Sequence, residues 1–186
     1  AVAIHTPVGT VIHTGDFKID PTPIDGEVMD FHTLARLAEE NVLLLLSDST
    51  NVENEGYTRS EKDITDMFDR IFQNAPGRII AATFSSNIHR VQQLIDIAQK
   101  YDRRFILTGR SMISNMRIAN ELGYLHIPTG MQANFNDMQK MSPLETLIIT
   151  TGSQGEPMSA LSRMAHNEHK QIDIEPGDSV IISARI

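Results

Sequence analysis

The chain has 186 residues, 40% of them hydrophobic and 22% charged, with 8 prolines and 11 glycines. That composition excludes a disordered or fibrous chain and suits one domain or part of a larger protein. Sixteen Lys and Arg against 24 Asp and Glu leave a net charge of −8, which argues against a non-specific nucleic-acid binder, although net charge does not say where charges sit. There is no cysteine, so disulfides and thiolate zinc sites are excluded, any metal must be held by His and carboxylate, and the framework suits the cytoplasm. No apolar run approaches the roughly 20 residues of a membrane-spanning helix, and neither end resembles a signal or transit peptide. The chain opens on Ala1, already strand-like, and stops in a strand-like run at Ile186, so it reads as an internal piece of a longer protein.

In chain order, residues 1–6 and 10–13 predict a hairpin closed by Pro7-Val-Gly9. A polar loop covers residues 16–30. Phe31, Leu34, Leu37 and Ala38 recur at helical spacing, and the helix leads to a buried-type strand, Val42-Leu-Leu-Leu-Leu46. The loop around residues 51–57 is the candidate domain boundary. Thr58-Arg-Ser-Glu61 reads as a capping box, so a helix is expected from Thr58. Its apolar face comprises Ile64, Met67, Phe68, Ile71 and Phe72, and Pro76-Gly77 closes it.

Strand and helix then alternate: strand 78–84, helix 87–100, strand 104–108, helix 112–122, a short helix near 136–141, strand 146–151, helix 156–165 and strand 178–184. This order predicts an α/β fold with a mostly parallel sheet covered by helices. The nine methionines sit at core positions of these elements and read as core filling.

In such sheets ligands collect at the carboxyl ends of strands. Four exits are rich in small polar residues: Ser47-Asp-Ser-Thr50, Phe84-Ser-Ser-Asn-Ile-His-Arg90, Thr108-Gly-Arg-Ser111 and Thr151-Gly-Ser-Gln-Gly-Glu-Pro157. Glycine permits close approach, Ser and Asn donate hydrogen bonds, and Arg can grip phosphate in bidentate fashion. Together they read as one anion-accepting rim; singly, each also fits a helix cap. His13-Thr-Gly-Asp-Phe-Lys18 adds an acid that could reach a metal or simply bond its own turn.

His13-Thr-Gly-Asp-Phe-Lys18, Leu46-Ser-Asp-Ser-Thr-Asn51, Thr83-Phe-Ser-Ser-Asn-Ile-His-Arg90, Gly109-Arg-Ser-Met112 and Thr151-Gly-Ser-Gln-Gly-Glu-Pro-Met-Ser-Ala-Leu-Ser-Arg163 stand in this order. The series resembles the ribonuclease J family, of the β-CASP branch of the metallo-β-lactamase superfamily, over nearly the whole chain. The resemblance implies a hydrolase of RNA processing and decay, with endonuclease and 5′-to-3′ exonuclease action on single-stranded RNA. It also implies two divalent metals, usually Zn2+ with Mn2+ possible, a cytoplasmic homodimer or homotetramer, and other RNA-decay proteins as partners. Residues 1–55 would be the end of the first half of the metallo-β-lactamase domain, and residues 56–186 a truncated β-CASP domain.

By the same resemblance, Asp16 matches the aspartate bridging the two metals, where paired cations activate water and stabilise charge on the phosphate. Asp48 matches an acidic motif that orients a catalytic histidine; by itself Ser-Asp-Ser-Thr is also good cap chemistry. Ser85, Ser86, Asn87, His89 and Arg90, with Arg110 and Ser111, match segments facing the RNA path. His89, one turn into a helix, fits ligand contact or packing. Gly152, Ser153, Gln154 and Gly155 could present N–H groups to an oxyanion or form a tight turn before a helix starting at Glu156-Pro157.

Departures from the family pattern are as informative. The family's His-x-His-x-Asp-His motif and its later histidines are absent, so this piece alone is expected to be inactive and a poor metal binder. His166 and His169, at i and i+3, fall in a polar stretch that reads as a solvated loop. Two further readings stay open: a β-CASP nuclease acting on DNA, and a non-catalytic paralogue that binds RNA or a partner nuclease. A dinucleotide-binding fold is disfavoured, because no Gly-x-Gly-x-x-Gly follows a strand.

Overall fold

The computed structural model describes residues 1–50, 52–58 and 60–183. Asn51, Arg59 and Ala184, which belong to the boundary loop, the expected capping box and the last expected strand, lie outside the described residues, as do Arg185 and Ile186. The chain forms two compact units, residues 1–63 and 64–186.

The first unit is a three-stranded sheet in the order β1 (Val2–Thr6), β2 (Gly9–His13), β3 (Val42–Leu46). β1 and β2 form the expected antiparallel hairpin, and β2 pairs with β3 in parallel. A parallel neighbour requires a crossover, supplied by the polar loop and α1 (Phe31–Ala38). Asp30 caps α1 by accepting from the Thr33 N–H at 2.9 Å. Leu37 and Ile12 are buried, but β3 is not the buried strand its leucines predict. All five of its residues are exposed, because β3 is an edge strand with no covering layer among the described residues.

α2 (Lys62–Asn74) begins at Lys62 rather than Thr58. The reason lies in the polar loop. Asp20 accepts from the Ser60 hydroxyl at 3.0 Å and the Glu61 N–H at 3.1 Å, while Glu61 pairs with Lys18 at 3.1 Å. Glu61 is therefore not available to close a box on Thr58. Phe68 and Phe72 point inward as expected, whereas Met67 faces out at 58% exposure.

The second unit carries a four-stranded parallel sheet in the order β5 (Arg104–Leu107), β6 (Thr146–Thr150), β4 (Ile79–Thr83), β7 (Ser179–Ser183). Between strands come α3 (Ile88–Lys100), α4 (Arg110–Glu121), α5 (Phe135–Met138), a 3-10 turn (Pro143–Glu145) and α6 (Ala160–Ala165). This is the expected α/β architecture. Central strands read as continuous apolar runs because both faces are covered. Ile79 and Ala81 face one core with Phe68, Leu94 and Met116; Ile80 and Ala82 face another with Leu161 and Met164.

Two helix starts differ from expectation. α4 begins at Arg110, two residues early, which places Arg110 and Ser111 in its first turn. α6 begins at Ala160, capped by Ser159, whose hydroxyl accepts from the Ser162 N–H at 3.2 Å. The acidic Glu156 instead folds back onto the Gln154 N–H at 3.2 Å, and Gly155, at φ +73°, breaks the run.

One cation lies deep in this unit. Arg103 is 3% exposed, and its Nη1 donates to the carbonyls of Gly77, Pro143 and Thr146 at 2.9, 3.4 and 3.3 Å. Its guanidinium stands 5.9 Å from the centre of the Phe72 ring. Among the described residues, no helix is long and apolar enough to cross a membrane.

Candidate functional site

In the first unit, Asp16 and Asp48 line one polar cavity of about 640 Å3 at the exits of β2 and β3, with His13 and Ser47 on its wall. The Asp48 carboxylate accepts from the Thr50 N–H at 3.0 Å and from the Thr50 hydroxyl. Its backbone N–H donates to Thr14 Oγ1 at 3.0 Å. The Thr50 hydroxyl and N–H first, then the N–H groups of Phe17 and Ser49, hold the Asp48 carboxyl below its ordinary value despite desolvation. Asp48 thus ties the β3 exit to the loop that carries Asp16, which is exposed. His13 Nδ1 faces the Gly15 N–H at 2.9 Å, so its hydrogen-bonding lone pair there is occupied by its own turn.

Whether these groups suit a metal can be tested on the donor set. Among the described residues, no three of His, Asp and Glu stand together as a metal site would need. One free carboxylate beside an occupied Asp48 and an occupied His13 does not make a two-cation centre by itself.

In the second unit, the exits of β4, β5 and β6 lie at one edge of one sheet, as parallel pairing requires. The Ser47–Thr50 exit leaves β3, in the sheet of the first unit.

Within that rim, Asn87 caps α3, accepting from the Arg90 N–H at 3.0 Å. Ser86 and His89 are exposed and Ser85 is half-buried. Arg90 is buried, with Nη1 on the Ser183 hydroxyl of β7. Arg110 and Ser111 are exposed in the first turn of α4, whose N-cap, Gly109, offers no side chain. That helix end keeps its N–H groups uncapped by a side chain and suited to an anion. A Cβ on Gly109 (φ +96°) would sit 2.9 Å from Thr151 Oγ1, so glycine here lets the β5 and β6 exits touch.

The loop after β6 divides in two. Gln154 and Gly155 are exposed, but their N–H groups are spent inside the loop, on Glu156 Oε2 and the Gly152 carbonyl, each at 3.2 Å. Gly152 and Ser153 are buried. Among the described residues, Ser153 Oγ and Thr83 Oγ1 are buried without a hydrogen-bond partner.

Two residues important to this edge carry no motif. Asn115, on α4, donates to the Ser85 carbonyl at 3.0 Å and to its hydroxyl at 3.2 Å, joining the β4 and β5 exits. The stretch around His169 is the exposed loop expected, but the His169 ring is half-buried: its Nε2 lies 3.1 Å from Thr108 Oγ1 at the end of β5. Asn115 left no signal beyond its place one turn inside a predicted helix, whereas His169 was visible as a histidine but not as a contact.

Residues 76–186 match the family model described as the beta-CASP domain of ribonuclease J. The chain is 54% identical over 185 residues, its whole length, to the Ribonuclease J of Helicobacter pylori, covering 27% of that protein. It is 48% identical over 183 residues to the Ribonuclease J of Thermus thermophilus, with 98% of this chain and 32% of that one covered. With the Ribonuclease J of Mycobacterium tuberculosis the identity is 44% over 186 residues, all of this chain and 33% of that one. The chain thus spans roughly a quarter to a third of the length of these relatives.

Proposed function

The chain belongs to the ribonuclease J family, and on that premise we propose that the whole protein is a metal-dependent ribonuclease cutting single-stranded RNA, as both an endonuclease and a 5′-to-3′ exonuclease. Residues 56–186 form its β-CASP part and residues 1–55 the end of the first half of its metallo-β-lactamase part. Asp16 contributes one carboxylate to a divalent metal centre, zinc or manganese, whose other ligands belong to the longer polypeptide. Asp48 acts as a positioning residue beside it. The whole protein works in the cytoplasm as a homodimer or homotetramer, alongside other RNA-decay proteins.

One observation carries the RNA reading beyond the family match. The three hydroxyl- and amide-rich exits in the second unit share one sheet edge; Asn115 hydrogen-bonds Ser85 across the β4 and β5 exits, and Gly109 packs closely against Thr151 across the β5 and β6 exits. An uncapped helix start with the exposed Arg110 and Ser111 supplies donors for phosphate oxygens at that edge. Ser86 and His89 line its exposed part, while Asn87, Arg90 and Gly152 hold its shape.

The test is cleavage of 5′-monophosphorylated single-stranded RNA by the whole protein with Mn2+ or Zn2+, beside Asp16→Ala and a DNA strand of the same sequence. RNA cleavage lost in Asp16→Ala supports the reading. Binding without cleavage makes the protein a non-catalytic paralogue, and faster cleavage of the DNA strand makes it a DNA nuclease.

A further inference from the structure

The β5 exit is held by a residue to which the proposed function gives no part. α6 ends in a reversal: Asn167 takes a left-handed φ of 55°, and the Glu168 and His169 N–H groups both donate to the Arg163 carbonyl, at 2.8 and 3.1 Å. The reversal swings the His169 ring against the end of β5. There Nε2 lies 3.1 Å from the hydroxyl of buried Thr108, 61 residues away in sequence. On the other side of the ring, Nδ1 faces the N–H groups of Gln171 at 3.4 Å and Ile172 at 3.2 Å.

These contacts fix the tautomer. Backbone N–H groups can only donate, so Nδ1 must present its lone pair and the ring proton must sit on Nε2, donating to Thr108 Oγ1. A doubly protonated ring would aim an N–H at two other N–H groups. Thr108 directly precedes Gly109 and the first turn of α4 with Arg110 and Ser111, so anything that moves Thr108 moves that part of the rim.

We infer that His169, as the neutral Nε2–H tautomer, is a positioning residue that latches the β5 exit, and that protonating it releases residues 169–172 and loosens the Arg110–Ser111 turn. Its consequence for RNA rests on the proposed function; the latch itself does not. From the β5 side the ring meets the neutral Thr108 hydroxyl, and the charged groups acting on it are Arg163 on α6 and Asp173 in its own loop. Burial first, then Arg163, holds the imidazole below its ordinary value of 6.5, against the opposing pull of Asp173. The neutral latch is therefore closed above that value and opens only on acidification below it.

The experiment is nitrogen-detected NMR of the His169 ring, with backbone amide spectra, on the full 186-residue chain between about pH 5 and about pH 8. The expected result is the Nε2–H form at the upper end. Amides of Gln171, Ile172, Gly109 and Arg110 then shift with the ring's own midpoint, below 6.5. The chain has seven histidines, so His169→Gln assigns the effect. Its amide can still donate to Thr108 and accept from Ile172 but does not titrate, so the folded spectrum is kept and the coupled shift is lost. A ring protonated on Nδ1 at the upper end, or a titration that leaves Gly109 and Arg110 unmoved, overturns the latch.

In parallel, affinity of the whole protein for a 5′-phosphorylated oligoribonucleotide is measured at fixed ionic strength. It should fall about fivefold across the His169 midpoint, the loss expected of one lost hydrogen bond, and not fall in His169→Gln. If the amides move together but no RNA is bound at any pH, the RNA reading fails and the latch stands. If RNA binding is the same at every pH in both proteins while the amides still move, the latch has no part in holding RNA.

Discussion

The side-chain amide of Asn115 donates to both the carbonyl and the hydroxyl of Ser85, at 3.0 and 3.2 Å. A residue one turn inside α4 thereby fixes the loop that leaves β4. Asn115→Ala should cost about 1–2 kcal/mol in stability, the loss of one partner from a half-buried pair. It should also lower RNA affinity by more than its effect on folding explains. Urea midpoints together with RNA titration read both, and an unchanged affinity would show that the two exits act separately.

Gly152 and Gly155 allow a paired comparison. Both have positive φ, +113° and +73°, but a Cβ on Gly152 would lie 2.9 Å from the Cβ atoms of Ser159 and Leu161, while one on Gly155 meets nothing within 4 Å. Gly155→Ala should cost roughly 1 kcal/mol of backbone strain alone. Gly152→Ala should cost at least about 2 kcal/mol, because overpacking adds to strain. Chemical denaturation of both variants checks the order, and equal costs would mean that α6 yields freely.

Asp178 binds Arg78 in bidentate fashion, Oδ1 to Nε at 2.8 Å and Oδ2 to Nη2 at 2.6 Å, with only 4% and 11% of the two side chains exposed. It joins the starts of β7 and β4. Asp178→Asn should destabilise the second unit by up to about 3 kcal/mol, since an enclosed guanidinium then loses its closest charge partner and keeps only the more distant, exposed Glu175 at 3.5 Å. Hydrogen exchange should rise first in β7, the edge strand of this pair.

Acid should loosen the polar loop of the first unit at Asp20. The Thr22 N–H foremost, then the Glu61 N–H, the Ser60 hydroxyl and Lys18, hold the Asp20 carboxyl below its ordinary value of 3.8, against desolvation. A lowered folded value means that its contribution is complete above 3.8 and lost as pH falls through the folded value. The Thr22 and Glu61 amides should therefore titrate together below 3.8, and this step should vanish in Asp20→Asn. Titration at or above 3.8 would contradict the hydrogen-bond assignment.

The parallel sheet was legible because Ile79, Ile80, Ala81 and Ala82 form an unbroken apolar run between turn residues, and Leu147, Ile148 and Ile149 do the same. Helix starts were less so. At Thr58 and Glu156 the local chemistry was favourable, but Glu61 found Lys18 and Glu156 found the Gln154 N–H, and such partners are invisible to a local pattern. The exposure of Leu43–Leu46 shows the converse limit, since composition reports what a strand would bury, not what lies against it. At the site, motif residues were found by type, whereas Asn115 and His169 owe their parts to contacts 30 and 61 residues distant.

Arg103 sets a condition on how the second unit assembles. Its three carbonyl partners, on Gly77, Pro143 and Thr146, flank the starts of β4 and β6, while Arg103 itself precedes β5. They converge only when these strands lie side by side in register. A sheet paired one residue out would carry the guanidinium inward without those oxygens, at a cost of several kcal/mol. The buried cation thus proofreads strand pairing, rejecting slipped sheets that apolar runs as uniform as Ile79–Ala82 would otherwise tolerate.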